Sequence, residues 1–359
     1  MNVFQHLDEL KDSDGVGNDA IGLSTVFESL GYNTHFITRI PRKGKSLNSR
    51  FHLVDSFHFP TSSHDIHILH YGGSGYPFSL FQELPGTKIL RFHNITPAKY
   101  YKDTTTEDIY WAMDKFESLS YLELASLSII CDSVWCDSQF NFETLSGFDF
   151  RNPYVIPICK EYEVIPKNEL SSSSKPKDGS IIFVGRYSPQ KKWEDLIHFF
   201  QLWVKEFPAA NCFCVGSIIG AFDGYYDRLI QLVRNYGLEG KVHFLVGKSD
   251  SEVIYLLNHS SAFISMSEHE GFCLPILEAF GCGIPVFAYA TGAIPGTMRD
   301  GGKLFFKKDF QNLVEMVRDH LTEKDKYDAL LKSQYNALSY YNQYPFAQVI
   351  TGILKSGIK

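Results

Sequence analysis

Short apolar runs alternate along the chain with longer segments that place an apolar residue at every third or fourth position. Runs of about four to eight apolar or β-branched residues read as strands, and the three-to-four spacing reads as amphipathic helix. In the first half, strands are predicted at 2–7, 34–38, 66–71, 88–93, 133–137 and 154–157. Helices are predicted from Asp19 to Leu30, from Pro77 to Leu84 and from Thr104 onward. There Thr104-x-x-Glu107 has capping-box spacing, and Ile109, Met113 and Phe116 share a face. In the second half, strands fall at 180–184, 212–215, 242–246, 262–267 and 284–288. Helices fall at 193–207, 223–236, 251–259, 309–321, 324–341 and 346–354. This alternation implies parallel sheets covered on both faces. Between Val164 and Ser180 the pattern lapses into linker chemistry (Ser171 to Gly179), so the domain boundary is set at 164–180. The expected fold is therefore α/β, two doubly wound Rossmann-like domains, 1–163 and 181–341, facing across a cleft. Ligands of such sheets sit at the carboxyl ends of the strands.

Composition narrows the class. At 359 residues there is room for about two cores, and 44% apolar with 21% charged residues is ordinary for a globular protein. With 34 basic against 41 acidic residues, a nucleic-acid partner is not expected. The seven cysteines show no paired metal spacing and read as buried thiols in a reducing compartment. Met1 to Leu10 shows no export-signal pattern, and no apolar run approaches the ~20 residues a membrane span needs. A cytoplasmic protein is expected. The basic loop holding Arg39, Arg42, Lys43, Lys45 and Arg50 is either a solvated face or a patch for an anionic partner.

The most informative stretch is Ser267-Glu268-His269-Glu270-Gly271-Phe272-Cys273-Leu274-Pro275-Ile276-Leu277-Glu278-Ala279. It leaves a strand, turns through Gly271 and enters a helix near Pro275. Backbone amides at Phe272, Cys273 and Leu274 would then point from a helix start, a ready anion site, bracketed by Glu270 and Glu278. A nucleotide-sugar ligand asks for such a cradle between hydroxyl-binding carboxylates. The alternative is an ordinary strand–helix turn with a surface acid at each end.

Gly185-Arg186-x4-Lys191 and Glu270-x7-Glu278 together resemble the retaining GT-B glycosyltransferases of family 4. His93-Asn94-Ile95-Thr96-Pro97 and Gly281-x-Gly283-Ile284-Pro285-Val286 make the chain similar to bacterial mannosyl- and hexosyltransferases of O-antigen and surface polysaccharide synthesis. The resemblance implies a nucleotide-diphosphate sugar as co-substrate, GDP-mannose first and a UDP-hexose or dTDP-deoxysugar second. It implies no cofactor and no metal, and a glycan or lipid-linked glycan acceptor with peripheral contact at the inner membrane. From another class, a non-catalytic glycan- or nucleotide-binding subunit would keep the same fold.

Arg186 and Lys191 would stabilise charge developing on the departing β-phosphate, next to Gly185 at the strand end. Glu278 would accept from ribose hydroxyls and Glu270 from hydroxyls of the donor sugar. His93 would position that sugar, and front-side attack would require no protein nucleophile. Gly15 and Gly17 would let amides approach the diphosphate or acceptor, Tyr71 to Gly75 would shape the acceptor site, and Gly292 and Ala293 would bring amides to the sugar. Asp12-Ser13-Asp14 is an Asp-x-Asp string, placed where a diphosphate would be repelled. Lys192 stands where the family usually has glycine, and Gly296 where it often has glutamate. Residues 342–359, with Tyr340, Tyr341, Tyr344 and Phe346 around Pro345, would cross back onto the first domain.

Overall fold

The computed structural model describes residues 1–11, 14–40, 50–164 and 178–356. Asp12, most of the basic loop (Arg42, Lys43, Lys45) and residues 165–177 of the expected linker lie outside the described residues. Packing divides the chain into two units. Unit 1 is Met1–Pro97, Asp114–Glu161 and Gln343–Lys359, and unit 2 is Ala98–Met113 and Tyr162–Asn342. The stretch 98–113, read from sequence as part of the first domain, thus belongs with unit 2. Tyr101 stacks on Phe222 with ring centroids 5.2 Å apart, and the Arg228 guanidinium donates to the Thr104 carbonyl.

Unit 1 holds seven parallel strands: β1 (Asn2–Glu9), β2 (Asn33–Ile40), β3 (Phe51–Leu53), β4 (Ile66–Tyr71), β5 (Thr87–Phe92), β6 (Ser133–Cys136) and β7 (Pro153–Val155). Their order is β3-β2-β1-β4-β5-β6-β7. Every residue of β4 is buried, as a strand covered on both faces requires. One core cluster joins Val3, Phe27, Ile68, Ile89 and Trp135 to Ile350 and Ile353, so helix Phe346–Lys355 is built into unit 1.

Two helix starts differ from the sequence reading. The first helix begins at Gly15, because the Asp14 side chain caps it by accepting from the Gly17 amide at 2.7 Å. The long helix runs Glu107–Ile130, so Thr104 does not form the expected capping box. Its hydroxyl instead donates to the Tyr100 carbonyl, 2.9 Å away, within a tighter turn.

Unit 2 holds six parallel strands: β8 (Ile181–Val184), β9 (Cys212–Gly216), β10 (Val242–Val246), β11 (Ala262–Ser265), β12 (Val286–Tyr289) and β13 (Lys303–Phe305). Their order is β10-β9-β8-β11-β12-β13. No described helix is long and apolar enough to cross a membrane. Arg39 and Arg50, the two described cations of the basic loop, are paired with Asp8 at 2.5 Å and Glu28 at 2.6 Å.

Candidate functional site

Each sheet reverses its strand order beside its first strand, between β1 and β4 in unit 1 and between β8 and β11 in unit 2. An open parallel sheet leaves a crevice at that switch point, outside the carboxyl ends of the strands. The two sequence motifs follow β8 and β11, so the topology of unit 2 brings them together. Gly216 explains how closely the strand ends approach: a Cβ there would lie 1.9 Å from the Gly185 carbonyl oxygen.

Lys191 closes a short 3-10 turn, Pro189–Lys191, and its Nζ lies 2.5 Å from Glu270 Oε1. Their side chains are 14% and 7% exposed, so each is the other's main electrostatic partner. Arg186 is exposed, and no partner for its guanidinium occurs among the described residues. Lys192 has φ 52° and ψ 50°, in the left-handed region that costs a residue with a Cβ about 1–2 kcal/mol. This is the position where glycine is expected. The turn sends the Lys192 ammonium elsewhere, to within 3.5 Å of Glu194 and 3.6 Å of Glu268. Burial pulls its pKa down, but Glu194, Glu268 and Asp195 outweigh that and hold it above the ordinary lysine range.

The helix after β11 is Leu274–Gly281, with Pro275 at its second position and Cys273 as N-cap at φ 74°. No side chain caps it. Burial first, and the Glu270 carboxylate second, push the Cys273 thiol well above its ordinary range, so it stays protonated. Gly271 and Glu278 are half-buried on either side of this start, while Phe272 and Leu274 are buried. Behind the loop stands a brace that sequence reading missed. Gly292 has φ 54°, and a Cβ there would meet the Glu270 carbonyl at 2.7 Å. The Ala293 amide donates to that carbonyl at 3.0 Å, so it holds Glu270 instead of pointing at a ligand. Thr297 donates to the Phe272 carbonyl at 2.6 Å, and Tyr341 to that of Thr297 at 2.9 Å.

In unit 1, Gly15 and Gly17 lie in the first helical turn, not in an open loop. The Gly17 amide is taken by Asp14, and a Cβ at Gly17 would overlap the Lys11 carbonyl oxygen at 1.6 Å. Close backbone packing therefore accounts for that glycine. His93 follows β5, and both of its ring nitrogens are engaged: Nδ1 with Asp137 Oδ2 and Nε2 with His70 Nδ1, each at 2.9 Å. Gln5 fixes the direction of this chain. Its amide nitrogen donates to the Ala20 carbonyl and Ser24, so its oxygen faces His70 Nε2 at 2.8 Å. His70 Nε2 then donates to Gln5, and its Nδ1 faces His93 Nε2.

Beneath this pair, Arg91 bonds Asp19 at 2.6 Å and lies 3.3 Å from Asp137. Burial opposes ionisation of Asp19, but Arg91 and the two histidines overcome it and lower its pKa. Asp19, His70 and His93 form the one trio of metal-type ligands within 4.8 Å of one another among the described residues, and these bonds already occupy their atoms. The sequence signal for this network was the charge of Arg91 set among the apolar Ile89, Leu90 and Phe92 of its strand.

Comparison with known proteins fits this geometry. Sucrose-phosphate synthase of Thermosynechococcus elongatus superposes with a TM-score of 0.75 at 14% identity, covering 99% of this chain and 98% of that one. The two Rossmann-like units therefore have the GT-B glycosyltransferase fold. The family model described as "Glycosyl transferases group 1" matches residues 165–337, just under half of the chain. O-antigen chain mannosyltransferase B of Escherichia coli is 28% identical over 146 residues, 40% of this chain and 36% of that protein. N-acetyl-alpha-D-glucosaminyl L-malate synthase of Bacillus anthracis is 34% identical over 136 residues, 38% of this chain and 33% of that protein. The matched stretches thus span about a third of each relative's length.

Proposed function

We propose that the chain is a retaining glycosyltransferase that moves a hexose from a nucleotide-diphosphate sugar to a glycan or lipid-linked acceptor. The observation that carries the reading is the 2.5 Å Lys191–Glu270 pair at the switch point, beside the exposed Arg186. When the donor breaks, charge appears on the β-phosphate, and a poised lysine and arginine stabilise it there without reorganising. Glu270, accepting only, holds donor-sugar hydroxyls, and Glu278 those of the ribose. The leaving oxygen takes the acceptor proton on the same face, which retains configuration. With both nitrogens engaged, the His93 ring serves as a fixed wall and not as a base.

GDP-mannose is the first donor in this reading, supported by similarity to the Escherichia coli O-antigen mannosyltransferase. Similarity to the N-acetylglucosaminyl-named enzyme favours a UDP-hexose as the second. Peripheral membrane contact and a cytoplasmic site belong to the same reading. The test is a nucleotide-sugar panel with GDP-mannose, UDP-hexoses and a dTDP-deoxysugar, the product anomer being read by NMR. Transfer or slow hydrolysis with retained configuration is expected. No turnover with any donor, or a sugar trapped covalently on Glu270, overturns it.

A further inference from the structure

Neighbouring residues of the same two loops make two ion pairs, Lys191–Glu270 and Lys192–Glu268. Lys192 and Glu268 line a separate cavity of about 470 Å³ within unit 2, together with Lys99, Tyr100, Asp103 and Tyr289. That volume falls within the range of small-ligand sites. Its walls are fixed. The Tyr100 hydroxyl and Thr291 Oγ1 both donate to the Glu268 carbonyl at 2.9 Å. Tyr289 packs against Phe305 at 5.7 Å, with Lys308 Nζ 4.8 Å from its ring centre. Lys308 also donates to the Glu268 carboxylate at 2.8 Å.

The lining chemistry selects a ligand class. Lys99 and Lys192 are balanced by Asp103 and Glu268, so an anion would meet two carboxylates and gain little. An apolar ligand would strip water from four charges. A neutral polyol satisfies all of them, because each hydroxyl both donates and accepts, and the half-buried rings of Tyr100 and Tyr289 stand in the same lining. The left-handed backbone of Lys192 is what turns the second lysine into this space, a local cost of the kind that gathers at functional sites.

We infer that this cavity binds a neutral saccharide and seats the sugar acceptor, an assignment that rests on the glycosyltransferase reading above. Saturation-transfer NMR on the full chain, with methyl α-D-mannopyranoside as neutral probe and D-glucuronate as anionic probe, tests it alongside calorimetry of GDP and UDP binding. The mannoside should bind in preference to glucuronate. Tyr289→Ala should weaken it about tenfold or more, Tyr289→Phe should retain it, and nucleotide affinity should stay constant in both variants. Absent mannoside binding, equal binding to Tyr289→Ala or a preference for glucuronate overturns the inference. So does a parallel fall in nucleotide affinity, which would place the cavity in the donor site. If neither nucleotide binds the unmodified chain while Tyr289→Ala alone loses the mannoside, the cavity stands and the donor reading falls.

Discussion

At the carboxyl edge of the unit 1 sheet, Arg91, Asp19, Asp137 and His93 sit with side chains 0–5% exposed, each bonded inside the unit. At the same edge of unit 2, Lys191, Lys192, Glu268 and Lys308 are 14–32% exposed, and Arg186 is open to solvent. Two sheets of one strand order thus put charge to different uses. Buried and fully paired, it fixes a scaffold, because removing either partner strands a charge away from water. Half-exposed and paired across two loops, it can exchange a neighbour for a ligand at modest cost.

Acid separates the two most sharply. His6, His67 and His70 are buried in unit 1, and desolvation lowers all three pKa values, that of His67 to about 4. Their bonds suit neutral rings: Tyr76 bonds His6 Nδ1, His6 Nε2 bonds His67, and His67 Nε2 donates to the Pro85 carbonyl. The unfolded chain protonates these groups below pH ~6.5 and the folded unit does not, so stability falls as pH drops from 6.5 towards 4. Each contributes up to about 1.4 kcal/mol per pH unit. In unit 2 burial lowers the pKa of the partly buried His243, and the depressed carboxylates Glu252 and Asp319 titrate lower. Hydrogen exchange at pH 7 and pH 5 should show unit 1 loosening first, and uniform loosening would break the comparison.

Next in size, Arg91→Ala leaves Asp19 and Asp137 uncompensated and should cost about 3–5 kcal/mol, read from the unit 1 transition in urea. A loss below about 1 kcal/mol would mean that water reaches the network. Lys191→Ala should lower kcat by about 10² or more, and it also lowers the melting temperature, because Glu270, 7% exposed, loses its lysine. An unchanged kcat would move the phosphate role to Lys192 or Arg186. Smallest of all, Lys192→Gly removes left-handed strain of about 1 kcal/mol and an ion pair of similar worth. Stability should barely move, and a drop of several degrees would show that the pair with Glu268 is stronger than its 3.6 Å separation suggests.

Much of this was legible in sequence, for identifiable reasons. Strand periodicity and the two motifs located the unit 2 loops, because residues at the ends of adjacent parallel strands converge whatever lies between them. Three things stayed hidden. The cap at Asp14 competes with a glycine-loop reading of Gly15 to Gly17, and only the Gly17 amide bond decides it. The engagement of both His93 nitrogens depends on Asp137 and on His70, itself held by Gln5, and no spacing rule connects these residues. Tyr100 and Tyr289 line one cavity because residues 98–113 pack with unit 2, held there by the Tyr101–Phe222 stack and by bonds to Glu268 and Arg228.

Helix Phe346–Lys355 has one more implication, for synthesis on the ribosome. Its seat in unit 1, among Val3, Phe27 and Trp135, is made from chain that emerges long before the helix itself. All of 162–342 must be translated in between, about 10–40 s at roughly 5–20 residues per second. Through that interval the nascent unit 1 carries an uncovered apolar groove, so chaperone occupancy should peak there and end as Ile350 and Ile353 arrive.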